Sequence, residues 1–198
     1  YRFIEEGITY ENTSNADIFY EVGRAIGEFQ NQLIDYPINK IKITIPNFHD
    51  TWFRYKKLFS LINNNDRVSD CVNEIRFVSS RKIDIINYMS ALEKLPLRIV
   101  HNDTKLNNVM FDKKTNKAIC MIDLDTVMPG CSLYDFGDAI RSGASKTVED
   151  DPNIDNVGVN LEFFTAFTEA YLSRTKDILT EEEIKYLAFS CRLLTLEL

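Results

Sequence analysis

In the run His101, Asn102, Asp103, Thr104, Lys105, Leu106, Asn107, Asn108, a carboxylate stands five residues ahead of a side-chain amide, with a lysine between them. Asp103 is of a type that accepts a proton from a hydroxyl, and Lys105 carries a cation suited to developing negative charge. Asn108 offers an amide oxygen, and Asp123 and Asp125, beyond an apolar run, add carboxylates. Oxygen donors of this kind suit magnesium, a hard cation that takes one or two carboxylates plus phosphate oxygens and keeps several waters. Singly, an Asp or Asn beside a strand end is more often a cap or turn former. The order of the set gives it weight.

Short apolar runs without helical period surround these residues, and three strands are expected, at 99–100, 109–111 and 118–122, with a polar turn at 112–117. If the second and third pair as a hairpin centred near Asn116, Asn108 entering and Asp123 leaving lie opposite each other, about 5 Å apart at the β-carbons. Asp125 would lean to the same face if extended geometry continues. Most of the remainder reads as helix. Ile18, Val22, Ala25, Ile26, Phe29 and Leu33 share a face behind a Ser14, Asp17 capping pattern, and Pro37 ends the run. Asp50 caps a helix carrying Phe53, Leu58, Leu61 and Ile62, and a longer helix is expected over 68–95. Helices follow over 133–142, over 161–172 and from Thr180, where Thr180 and Glu183 form a capping box. Residues 1–6 read as a short strand or connector, 39–46 as a short strand or irregular connection, and 63–65 and 149–155 as solvated loops.

The chain has 198 residues, with 23 Lys plus Arg against 30 Asp plus Glu, a net charge of −7 that argues against general nucleic-acid binding. With 44% hydrophobic and 27% charged residues it has the mixture of a folded domain. Only 7 Gly and 5 Pro disfavour a turn-rich sandwich or barrel, so the expected fold class is α+β, mainly helical. Cys71, Cys120, Cys131 and Cys191 form no C-x-x-C pair and read as reduced thiols in a cytoplasmic protein. No apolar run approaches the roughly 20 residues of a membrane helix. The chain opens at Tyr1 and stops at Leu198 inside an apolar-periodic segment, so both ends read as cut.

The Asp103 to Asn108 spacing is that of the kinase catalytic loop, where an Asp accepts the acceptor's hydroxyl proton and an Asn five positions later holds magnesium. Base and metal ligand then flank the transferred phosphoryl group without competing for one place. Through HNDTKLNN at 101–108, IDLDTVMPG at 122–130 and YDFGDAIR at 134–141, the chain resembles the phosphotransferase enzyme family of aminoglycoside phosphotransferases, choline kinases and sugar kinases. Within it the likeness is nearest to the N-acetylhexosamine 1-kinases and runs from about Phe3 to Leu198. The resemblance implies a protein-kinase-like fold, ATP with magnesium, Asp103 as base, and Asn108 and Asp123 as metal ligands, with Asp125 a further candidate. It also implies that Asp135 braces the catalytic loop. Asp135, Phe136 and Gly137 spell the D-F-G of protein kinases, but they follow Pro129 and Gly130 and open a helix, so Asp123 is the better metal candidate. Many members have Gly where this chain has Asn102.

No glycine-rich phosphate loop and no strand lysine of a nucleotide lobe is found. The chain therefore reads as a carboxy-terminal lobe, residues 11–198, with 1–10 as interlobe hinge and Phe3, Ile4 and Glu5 as nucleotide contacts. The expected acceptor is a small polar molecule, a sugar or amino sugar, with an aminoglycoside or choline-like compound as rival and a non-catalytic lobe as a reading of another class. A sulfatase would want C-x-P-x-R, which none of the cysteines supplies. Two weaker signals stand apart. Phe48 to Arg54 mixes aromatic, His and charged residues as a sugar-stacking pocket would, although Trp52 and Phe53 in the core is the commoner arrangement. Arg141 is more simply a surface ion pair than a phosphate guide.

Overall fold

The computed structural model describes residues 3–62, 65–147 and 151–198. The architecture is mainly helical with two small sheets, as composition and periodicity indicate. Helix α1 (Ala16–Gln32) buries Ile18, Phe19, Val22, Ala25 and Ile26 along one stripe. Its cap is Asn15, whose side-chain oxygen accepts from the Asp17 amide at 2.8 Å, one residue later than the expected Ser14. Helix α6 (Leu161–Thr175) runs against α1, with the Phe19 ring 5.4 Å from Phe163 and 5.2 Å from Phe167. The helices approach closely because Gly23 has no side chain: a Cβ there would lie 2.4 Å from the Phe167 carbonyl oxygen. Phe136 of α5 (Ser132–Gly143) meets the same cluster, 5.4 Å from Phe167 and 5.3 Å from Tyr171.

Helix α7 (Glu181–Glu197) starts with the expected Thr180 and Glu183 capping box and packs on α5. Strands β1 (Gly7–Ile8), β3 (Val109–Asp112) and β4 (Ala118–Met121) form an antiparallel sheet in the order β1-β3-β4, and β2 (Arg98–Val100) pairs antiparallel with β5 (Met128–Gly130). A bidentate pair pins β2 to α7: Arg98 Nε and Nη2 donate to the two Glu183 oxygens at 2.6 and 2.8 Å, while Ser132 adds 2.7 Å.

Several expectations need correction. Residues 3–6 are a connector, not a strand; a turn at Ile4–Gly7, with Glu6 at φ 62°, leads into β1. β5 was not expected, because Pro129 reads as a break, yet proline is tolerated on the edge strand of a two-stranded sheet. Of the two readings of 39–46, the irregular connection holds, after a 3-10 turn at Ile38–Lys40. Asp50 does cap α2 (Thr51–Leu61), but Phe53, Leu58 and Leu61 are exposed, and Thr51 and Tyr55 turn inward instead. The single helix expected over 68–95 is a 3-10 stretch (Asp66–Cys71), α3 (Val72–Ser80) and α4 (Lys82–Leu92), broken at Arg81 so that Ile85 and Tyr88 reach the core. The loops expected at 63–65 and 149–155 fall partly outside the described residues. Among the described residues no helix is long and apolar enough to cross a membrane, and the four cysteines are free.

Candidate active site

The loop after β2 is built around one buried carboxylate. Asp135, in the first turn of α5, accepts from the backbone amides of His101 (3.0 Å) and Asn102 (2.7 Å) and from the Gln30 amide (2.8 Å). Burial pushes its carboxyl up from the ordinary value, against the pull of these donors. Gln30 in turn accepts from the Tyr171 hydroxyl at 2.7 Å, so the aromatic core sets the brace. Gly137 fits this role and not a metal loop, since a Cβ there would lie 3.0 Å from the Ser190 backbone of α7. One turn on, Asp138 accepts from the Thr104 amide at 2.8 Å.

These bonds force Asn102 into the left-handed region at φ 67°, which Gly adopts freely and Asn tolerates. The departure from glycine is therefore compatible with the same turn. The Asn102 side chain donates to the Thr126 carbonyl at 2.9 Å, fastening the loop to the segment that follows β4.

Asp103 and Asn108 are brought together. The Asn108 amide donates to the Asp103 carboxylate at 2.9 Å and to its carbonyl at 2.8 Å, which orients the amide with its oxygen directed away from Asp103. Lys105 Nζ lies 3.2 Å from the other Asp103 oxygen. The hairpin turns at Asn116, in the left-handed region at φ 55°, but its register differs from the expected one by a residue. Val109 pairs with Met121, so Asn108 faces Ile122 and Asp123 stands one step beyond. The Ile122 peptide is held at both ends, its amide donating to Asn108 O (2.9 Å) and its carbonyl facing His101 Nε2 (2.9 Å). With His101 Nδ1 accepting from the Asp103 amide at 3.3 Å, the ring is the Nε2–H tautomer. Extended geometry then ends: Asp123 is left-handed at φ 58° and Asp125 lies in a 3-10 turn (Leu124–Thr126), so the expected alternation toward a common face does not hold for Asp125.

Asp123 and Asp125 are exposed, with no hydrogen bond or ion pair among the described residues. Among those residues no group of three or more His, Cys, Asp or Glu is arranged for a metal. The donor set is one amide oxygen and carboxylates, which fits a water-rich hard cation such as magnesium and not zinc. Phe3 and Glu5 are exposed and Ile4 is half-buried. A cavity of about 530 Å³ lies among α3, α5, α7 and residues 157–161, and none of the expected catalytic, metal or nucleotide residues lines it. Arg141 does, and it is no surface pair: its guanidinium lies 3.0 Å from Asp138, both side chains being at least nine-tenths buried.

Gln30, Thr104, Asp138 and Thr126 were not anticipated, since polar residues inside helices or turns carry no local mark of a distant partner. His49 was noted only as part of an aromatic segment, and Glu197 not at all. Their side chains meet across 148 positions.

The fold is protein-kinase-like, and sequence comparison gives the family. The model of the phosphotransferase enzyme family matches residues 2–172, and the chain belongs to that family. Solved structures are similar at low identity. An ethanolamine kinase from Plasmodium vivax shares 15% identity at a TM-score of 0.61, over 96% of this chain and 55% of that one. A choline kinase from Cryptosporidium parvum Iowa II shares 18% at 0.53, over 98% and 59%. An aminoglycoside-3'-phosphotransferase of type VIII shares 17% at 0.53, over 95% and 64%. The chain thus spans between 55% and 64% of the length of these structures.

Proposed function

We propose that residues 11–198 are the carboxy-terminal lobe, and residues 1–10 the interlobe hinge, of an ATP- and magnesium-dependent small-molecule kinase. The observation that carries the reading is the Asp103 carboxylate, held by Asn108 and Lys105 at the end of a loop braced by Asp135 and Asp138. Asp103 takes the proton of the acceptor hydroxyl as that oxygen bonds to the γ-phosphorus. The bond from the γ-phosphorus to the bridging oxygen breaks, and ADP leaves. Fixing the carboxylate in advance reduces the entropy cost of alignment. Lys105 faces the charge that develops on the transferred group. Magnesium, when bound, draws charge from the nucleotide phosphates; Asn108 and Asp123 are its proposed ligands, with Asp125 outside or at the edge of the set. Phe3, Ile4 and Glu5 are proposed to meet the nucleotide.

The acceptor favoured here is the anomeric hydroxyl of an N-acetylhexosamine, on the likeness of the three motifs. Choline-like or aminoglycoside acceptors are the second reading, favoured by the names of the similar solved structures. The test is a panel of sugars, aminoglycosides and choline, scored for magnesium-dependent ADP release by the full-length protein. Asp103→Asn should lower kcat at least about a hundredfold, the scale of a lost general base. Unchanged turnover in that variant removes the mechanism.

A further inference from the structure

His49 is buried just ahead of α2, and both of its ring nitrogens face acceptors: Nδ1 lies 2.9 Å from Glu197 Oε1, and Nε2 lies 3.2 Å from the Asn102 carbonyl. A neutral imidazole has one N–H, so it would bond one oxygen and turn a lone pair toward the other. Only the imidazolium satisfies both. We propose that His49 is a positioning residue, held as an imidazolium between Glu197 and the Asn102 carbonyl, that fixes the peptide presenting Asp103. The kinetic part of this proposal rests on the assignment of Asp103 as base.

Asn102 is then held at three points: its amide by Asp135, its side-chain nitrogen by Thr126 and its carbonyl by His49. That is the grip a left-handed non-glycine residue needs immediately before a reacting group. Glu197 is placed where a helix least favours an anion, in the last turn of α7, and needs cationic partners there. Besides His49, Arg54 supplies one, its Nε 3.2 Å from the same oxygen, and the neutral Thr51 hydroxyl donates to the second oxygen at 2.7 Å.

The groups facing the ring come from several elements. Glu197 lies on α7, Arg54 on α2, and Asp138 and Tyr134 on α5, with the Tyr134 ring 4.9 Å away. Burial pushes the His49 pKa down, but the Glu197 hydrogen bond and charge, the Asn102 carbonyl and the Asp138 charge outweigh it, leaving the value raised from 6.5. A raised folded value means that the clamp is complete below the unfolded pKa and is lost as pH rises through the folded one. Turnover should therefore show an alkaline limb.

Nitrogen-15 labelling of histidine in the full-length protein reads the ring directly, with His49→Gln identifying its signals. At pH 7 both of its ring nitrogens should be protonated; a neutral ring overturns the proposal. His49→Gln should lower kcat about ten- to hundredfold, keep the KM for ATP within about twofold and abolish the alkaline limb. It should also speed exchange of the Asn102 and Asp103 amides at least about tenfold. Glu197→Gln, which keeps the packing and removes the charge, should move the limb to lower pH and decides the matter if His49→Gln fails to fold. An unmoved limb, or unchanged kcat and exchange in His49→Gln, overturns the proposal. A wild-type protein that phosphorylates nothing sinks the kinase assignment alone, while the ring protonation and amide exchange still decide whether His49 holds the loop.

Discussion

Replacing Asp135 by Asn tests the brace on the catalytic loop at constant size. The carboxylate is fully buried and meets donors on both oxygens: Asn102 N on Oδ1 at 2.7 Å, and His101 N and Gln30 Nε2 on Oδ2 at 3.0 and 2.8 Å. An amide has one acceptor oxygen. Turned toward His101 and Gln30, it presents its NH2 to the Asn102 amide, donor against donor. A lost hydrogen bond to a charged group is worth about 1.5–3 kcal/mol, and a buried donor left without an acceptor costs about 1–3 more, so about 2.5 kcal/mol is the low end of the expected loss. At about 2–4 °C per kcal/mol for a lobe of this size, Tm should fall by roughly 5–10 °C. Differential scanning calorimetry on the full-length protein reads this directly. Asp103→Asn is the control; its half-buried carboxylate should cost less than about 1 kcal/mol. The opposing possibility, that Asp135 is the metal ligand of a D-F-G, predicts the reverse. Loss of an unneutralised carboxylate in metal-free buffer would leave Tm unchanged or raise it. A fall below about 2 °C would refute the brace.

Two further outcomes concern the frame. Burial alone would raise the Glu183 pKa, but the Arg98, Thr180 and Ser132 hydrogen bonds hold it below the ordinary carboxylate range. Its stabilisation is therefore complete above the unfolded value of 4.5 and is lost as pH falls through the lower folded value. Glu183→Gln should cost about 3 kcal/mol at pH 7, because it leaves the buried Arg98 unpaired, and that deficit should shrink in urea titrations at acid pH. Gly23→Ala gains about 1 kcal/mol of helix propensity but pushes a methyl against the rigid Phe167 backbone at a cost of about 1–3 kcal/mol. A net loss is expected in the same titration, and a stabilised variant would show that α1 and α6 are not held at close approach.

What could be read from sequence was local. Asp103 and Asn108 are five residues apart in one loop, so the sequence places them near each other before any distant contact is known. The hairpin about Asn116 and the Thr180 capping box are likewise written within a few residues. The register of Asp123 was not: the turn sets Phe111 against Ala118, two steps from the expected pairing, and the bulge between Met110 and Phe111 recovers only one of them, which leaves Ile122 opposite Asn108. The break at Arg81 and the inward turn of Tyr55 follow from tertiary packing that overrides the apolar periodicity of 50–95. The hold of Asp135 on the loop was available through resemblance, whereas Gln30, Asp138 and the His49–Glu197 pair lay beyond it, since nothing in a lone polar residue names a partner across the fold.

The measurement closest to the central claim is anomalous diffraction from crystals of the full-length protein grown with manganese and a non-hydrolysable ATP analogue. A metal peak is expected within about 2.5 Å of Asn108 Oδ1 and an Asp123 carboxylate oxygen, with Asp103 left to the acceptor side. A peak on Asp135, or ions bound away from Asn108 and Asp123, would contradict it.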